Sequence, residues 1–171
     1  MLNTLSPSIR INNVIKESIV DGFGLRFVIF TQGCLLRCKN CHNPSTHDLD
    51  KGDIVALETL QEMWKKNPLL KGITISGGEP FLQKEATLNL VRLAKKDNLD
   101  VTIYTGYTYD ALKKQDCDII NNIFNEADYL IDGPFIDCLK DLNLLFRGSK
   151  NQRIIDLNKT KIKGELVFYE E

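Results

Sequence analysis

Three cysteines crowded into one loop, Cys34, Cys38 and Cys41, constrain this chain more than any other feature. They lie in Gly33-Cys34-Leu35-Leu36-Arg37-Cys38-Lys39-Asn40-Cys41-His42-Asn43, directly after the apolar run Arg26-Phe27-Val28-Ile29-Phe30-Thr31. The five cysteines of the chain cannot all be paired in disulfides. Residues 1–10 carry no basic stretch followed by an apolar one, so no secretory signal is expected. No apolar run approaches the roughly 18 residues of a membrane span. The expected setting is therefore the cytoplasm, where thiols stay reduced, with no membrane partner. Basic and acidic residues nearly cancel at 22 and 23, which argues against nucleic acid as a partner. Clustered thiolates in that setting select zinc or an iron–sulfur cluster.

The two centres make different demands. A structural zinc site is closed by four ligands, usually from two separated pairs. This chain offers one triplet, which His42 or His47 would have to complete. Ferredoxin-type clusters take four cysteines. A triplet leaves one iron of a four-iron cluster without a protein ligand, and an open position is what a catalytic centre needs. Cys117 and Cys138 stand apart and read as ordinary small core residues.

The chain of 171 residues reads as a single domain, residues 1–171. Buried strands are expected at 26–31, 72–76, 100–104 and 129–131, with two more at 153–157 and 166–169. Helices are expected at 53–66, 84–96, 108–114 and 118–124. In the first of these Ile54, Leu57, Leu60 and Trp64 share a face and Asp53 serves as N-cap. Strand alternating with helix predicts an α/β fold with a mainly parallel, curved sheet. The chain is shorter than the roughly 250 residues of a complete eight-fold barrel, so an incomplete (β/α) barrel is expected. Ligands of such folds gather beyond the carboxyl ends of the strands. The cysteine loop, Gly77-Gly78-Glu79, Thr105-Gly106 and Asp132-Gly133 all fall there.

The Cys-x-x-x-Cys-x-x-Cys spacing after a strand resembles the signature of the radical S-adenosylmethionine superfamily. Asp21-Gly22-Phe23-Gly24-Leu25-Arg26 is similar to the Asp-Gly-Pro-Gly-x-Arg stretch of glycyl-radical activating enzymes, with Phe23 where proline is usual. Ser76-Gly77-Gly78-Glu79-Pro80 resembles the Gly-Gly-Glu motif. Residues 128–135 and 146–156 resemble the activating proteins of anaerobic ribonucleoside-triphosphate reductase. The resemblance implies a [4Fe-4S] cluster on Cys34, Cys38 and Cys41, whose open iron binds S-adenosylmethionine. It implies reductive cleavage to a 5′-deoxyadenosyl radical, which takes a hydrogen atom from a glycine of the reductase's large subunit. A low-potential donor such as flavodoxin or ferredoxin would supply the electron. Gly77, Gly78 and Glu79 are the expected methionine-end residues, and Asn40, Cys41 and His42 face the adenine through backbone. Many relatives carry an aromatic residue where Asn40 stands. No catalytic acid or base is expected, because the cofactor carries the chemistry.

Weaker candidates remain open in role. Tyr104, Thr105 and Asp132 either touch ribose or cap strand ends. Arg147, Asn151, Gln152 and Arg153 either contact cofactor or partner or form a solvated loop. Rival readings are another small radical enzyme, resembling pyruvate formate-lyase activase or a deazaguanine synthase, and a non-catalytic zinc or electron-transfer module.

Overall fold

A computed structural model describes residues 7–169; most of the segment read for a secretory signal lies outside them. The chain opens with β1 (Ser8–Ser18), then β2 (Arg26–Thr31), β3 (Asp53–Ala56) and α1 (Leu57–Lys65). It continues through β4 (Gly72–Gly77), α2 (Lys84–Lys96), β5 (Asp100–Tyr104), α3 (Tyr109–Lys113) and α4 (Asp118–Glu126). β6 (Tyr129–Asp132), β7 (Arg153–Asp156) and α5 (Leu157–Lys163) complete it. One sheet of seven strands runs β3-β1-β2-β4-β5-β6-β7. The central four strands, β2, β4, β5 and β6, are mutually parallel. The flanking pairs β1/β2, β1/β3 and β6/β7 are antiparallel.

The fold is α/β, with differences at the edges. β1 breaks its two-residue alternation through register shifts between Ile11 and Asn13 and between Ile15 and Ser18. Such bulges erase the periodicity that marks a strand. The helix expected over 53–66 is split. Residues Asp53–Ala56 pair with Ser8–Ile11 instead, the helix starts at Leu57, and the N-cap position belongs to Ala56 rather than Asp53. Ile54, expected on one helix face with Leu57, Leu60 and Trp64, is instead in β3 and 65% exposed. At the other end, residues 166–169 supply one isolated bridge, Ile155 to Phe168, in place of a strand. α5 appears where no helix was expected, capped by the Asp156 carboxylate on the Lys159 amide at 2.9 Å and ended by Gly164 at φ 72°.

Successive side chains of a strand point to opposite faces, and here the faces have different jobs. Phe27, Ile29, Ile73, Ile75, Val101 and Ile103 belong to the hydrophobic core, which they form with Leu60 and Trp64 of α1, Leu90 and Val91 of α2 and Ile123 of α4. The alternate residues, Arg26, Val28, Phe30, Thr74, Ser76, Thr102 and Tyr104, occupy the other face and are largely polar. At its amino end Arg26 is fully buried. Its guanidinium donates to Thr74 Oγ1 and Thr102 Oγ1 at 3.1 Å each, to the carbonyls of Phe23 and Ile73, and pairs with Asp100. Phe23, the residue in the proline position, fills the same end with its ring 4.8 Å from Tyr129, 4.9 Å from Phe146 and 4.6 Å from Tyr169. The Asp21 to Arg26 stretch thus plugs the amino end of the sheet and leaves the carboxyl end open.

Candidate active site

A cavity of about 890 Å³ opens beyond the carboxyl ends of the parallel strands. The cysteine loop follows β2 directly. Its backbone takes the left-handed region at Arg37 (φ 47°) and Asn40 (φ 54°), each just before a cysteine. That conformation is disfavoured for arginine, and such strain collects at functional sites. It lets the loop curl twice, and Cys34, Cys38 and Cys41 all line the cavity, half-buried. A structural zinc site would gather four donors round one point. Among the described residues no three His, Cys, Asp or Glu side chains are gathered for a single ion. Three thiols along one wall fit a wider iron–sulfur cluster, which brings its own sulfides. Burial pushes the Cys34 thiol up, while backbone amides of Leu36 and Arg37 favour its thiolate.

The Gly-Gly-Glu turn ends β4 against the start of that loop. The Gly78 amide donates to the Thr31 carbonyl and the Glu79 amide to the Gly33 carbonyl, both at 2.8 Å. A Cβ on Gly78 would stand 2.3 Å from the Gly33 oxygen, so only glycine permits the approach. Gly78→Ala is expected to displace the cysteine loop at a cost of about 1–3 kcal/mol and to lower the iron bound per chain. Iron analysis after reconstitution checks this, and full iron content with unchanged stability would refute it.

Glu79 is 1% exposed. Its carboxylate accepts from the Thr105 hydroxyl at 2.9 Å, the Gly106 amide at 2.9 Å and the Phe81 amide at 3.1 Å. Thr105, left open between ribose contact and capping, thus ties the end of β5 to the turn after β4. Burial pushes the Glu79 carboxyl up to about 7, against those three donors. The folded chain therefore holds the Glu79 proton to higher pH than the unfolded chain, whose glutamates titrate near roughly 4.3. The associated stability is full below that lower value and is lost as pH rises through the upper one, on the order of 3 kcal/mol in all. In cluster-free protein, urea titrations are expected to show native stability falling relative to Glu79→Gln between about pH 5 and about pH 8. A constant difference would refute the assignment.

The other candidates separate. Tyr104 lines the cavity and donates to the Phe146 carbonyl at 2.9 Å. Asp132, fully buried, accepts from the Tyr109 amide at 2.7 Å and from Arg153 Nε at 2.9 Å. It does not line the cavity, so the capping role describes it. Asn151 holds the Pro134 carbonyl at 2.7 Å, and Arg153 is spent on Asp132. Gln152 and Arg147 do line the cavity. Gln152 accepts from the Gly148 amide at 2.8 Å and donates to the Gly133 carbonyl at 3.1 Å, so it shapes that wall. His42 and His47 line the cavity, the former with its ring 4.7 Å from Phe135. Asn40 is exposed, outside the cavity lining, and its amide donates to Asp137 at 2.8 Å. Cys138 is exposed rather than core, while Cys117 packs partly buried against the core.

Sequence reasoning missed residues 142–145, which extend the wall that Arg147 lines, and the apolar Ile15, Ile19 and Val20. Leu142 is 82% exposed, Ile19 74% and Val20 70%. The run Leu142-Asn143-Leu144-Leu145-Phe146 was the available signal: it is too apolar for an ordinary solvated loop.

Comparison with known proteins points the same way. A family profile described as a 4Fe-4S single cluster domain matches residues 20–155. The chain is 33% identical over 144 residues to the anaerobic ribonucleoside-triphosphate reductase-activating protein of Haemophilus influenzae, covering 80% of this chain and 90% of that one. It is 31% identical over 141 residues to the protein of the same name from Enterobacteria phage T4, covering 79% and 86%. It is 39% identical over 106 residues to the pyruvate formate-lyase-activating enzyme of Clostridium pasteurianum, covering 58% of this chain and 44% of that enzyme's length.

Proposed function

The chain belongs to the 4Fe-4S single cluster domain family, among the radical S-adenosylmethionine activating proteins, and we propose that it activates anaerobic ribonucleoside-triphosphate reductase. One observation carries the reading: three thiols and the Gly-Gly-Glu turn meet on a single cavity at the carboxyl ends of adjacent parallel strands. In this reading Cys34, Cys38 and Cys41 hold a [4Fe-4S] cluster with one iron open to S-adenosylmethionine. When bound, cluster and S-adenosylmethionine would supply the chemistry: one electron from the donor would cleave the sulfonium to methionine and a 5′-deoxyadenosyl radical, which would take hydrogen from a glycine of the reductase's large subunit.

The chain's own residues bind, orient and exclude water. Gly77 and Gly78 let backbone come close to the methionyl end. Glu79, fixed by Thr105 and Gly106, sets a carboxylate beside it. Cys41 and His42 form the adenine side, with Asn40 contributing backbone alone. Segment 142–148 forms the far wall, and its apolar side chains would limit the water that reaches a reactive species. We read the sheet as an incomplete barrel of the radical S-adenosylmethionine type. The setting is the cytoplasm, with flavodoxin or ferredoxin as electron donor.

The likeness to the reductase-activating proteins extends over 144 residues, against 106 for the pyruvate formate-lyase activase, which favours the reductase as substrate. The test is direct. Anaerobically reconstituted and reduced protein is given S-adenosylmethionine with either the reductase large subunit or pyruvate formate-lyase. 5′-Deoxyadenosine together with a glycyl-radical signal on the reductase alone is expected. A signal on the lyase alone would reassign the substrate, and no deoxyadenosine from a well-formed reduced cluster would overturn the enzymatic reading.

A further inference from the structure

His47 closes the loop that opens at Gly33, just after a 3-10 turn over Pro44–Thr46. The Gly33 amide donates to the Thr46 carbonyl at 2.8 Å and the Cys34 amide to the His47 carbonyl at 3.3 Å, so the two ends of the loop run side by side. Thr46, 1% exposed, donates its hydroxyl to the Asn43 carbonyl at 2.7 Å and locks the turn. His47 is thereby held next to the first cysteine, and it lines the same cavity as all three.

The His47 Nε2 is buried and has no hydrogen-bond partner among the described residues. A buried polar nitrogen left unbonded costs about 1–3 kcal/mol, and each one in a native structure asks for a reason. A neutral imidazole can present its N–H at Nε2, and Cys34, Cys38 and Cys41 line the same cavity as His47. The loop already turns one donor on such a sulfur, since the Asn43 amide points to Cys41 Sγ at 3.4 Å. His42, the other histidine of the chain, is exposed and packs on Phe135.

We propose that His47 donates a hydrogen bond from Nε2 to a sulfur of the cluster held by Cys34, Cys38 and Cys41, and so raises the reduction potential of that cluster. The inference rests on the cluster reading above. A donor aimed at sulfur stabilises the reduced, more negative cluster over the oxidised one, which is the general way hydrogen bonds tune these centres. His47 is a positioning and tuning residue, and it takes no part in bond making.

The experiment compares native protein, His47→Phe, His47→Gln and His42→Phe, each reconstituted anaerobically with iron and sulfide. The readouts are the cluster's midpoint potential and the hyperfine coupling of nitrogen-15 histidine to the reduced cluster. With two histidines in the chain, assignment is simple. The expected result is a histidine coupling in native protein and in His42→Phe, its loss in His47→Phe, and a more negative potential in that variant. His47→Gln, which keeps an N–H, falls between. If His47→Phe fails to assemble a cluster, the native coupling and the glutamine variant decide. A clustered native protein without histidine coupling, or a His47→Gln and His47→Phe pair with native potentials, overturns this proposal alone. A native protein that takes up no cluster overturns the parent reading as well.

Discussion

Cys38→Ala is expected to leave a folded but colourless protein that makes no 5′-deoxyadenosine. Cys38 is half-buried in the loop and lies outside the hydrophobic core, so its removal should change the unfolding free energy by less than about 0.5 kcal/mol. The effect on the cluster is of another order. Loss of an outer hydrogen-bonding partner of a metal ligand already costs about 10–100-fold in affinity, and loss of one of three thiolates exceeds that. Iron and sulfide per chain, absorbance near the brown charge-transfer bands, and deoxyadenosine by chromatography all follow the same sample. Cys117→Ser and Cys138→Ser serve as controls, because Cys117 packs on the core beside α4 and Cys138 is exposed beyond β6. Both controls should keep the cluster. A Cys38→Ala protein with native iron content, or a Cys138→Ser protein without iron, would remove the basis for assigning the loop.

The parts of this molecule that could be read in advance are those where one local pattern decides the outcome. β2, β4, β5 and β6 are short apolar runs bounded by glycine or turn residues, a local pattern that marks a buried strand without reference to distant partners. The cysteine loop could be read because its chemistry is local: spacing alone determines which thiols can share a centre. The misses have the opposite character. β3 exists because Asp53–Ala56 finds Ser8–Ile11 across the sheet, a partnership invisible in a window whose apolar spacing equally suits a helix. β1 hides behind two register shifts. Segment 142–148 becomes a cavity wall through Tyr104 and Phe23, which hold Phe146 from strands and loops far away in sequence. Asp132 has the sequence setting of a ligand-binding residue, and only its distant partners, Arg153 and the Tyr109 amide, which occupy its oxygens, distinguish it from one. Cysteine favours burial, but Cys138 sits in the 3-10 turn Asp137–Leu139 and is exposed.

Arg26→Met is expected to be strongly destabilising, by about 3–5 kcal/mol, the sum of several buried acceptors left unsatisfied. Methionine matches much of the volume, so the loss is one of bonding rather than packing. The guanidinium at the floor of the polar face is 0% exposed. It joins β4 and β5 through Thr74, the Ile73 carbonyl, Thr102 and Asp100, and it holds the Asp21 to Arg26 stretch through the Phe23 carbonyl. Thr74 in turn donates to the Asp21 carbonyl at 2.7 Å. Without Arg26 those buried acceptors face an apolar chain, and each unsatisfied one costs about 1–3 kcal/mol. Asp100 adds less, because its side chain is 33% exposed and can take water. Arg26→Met with Asp100→Asn should therefore recover little of the loss. Arg26→Lys should recover only part, since one ammonium cannot span the directions a planar fork reaches. Urea titrations of cluster-free protein would measure all three. A loss for Arg26→Met below about 1 kcal/mol, or full recovery in the double variant, would show that the plug is held by Phe23 and its aromatic neighbours. The active end would then owe its geometry to ring packing at the opposite end of the sheet instead of to this buried hydrogen-bond network.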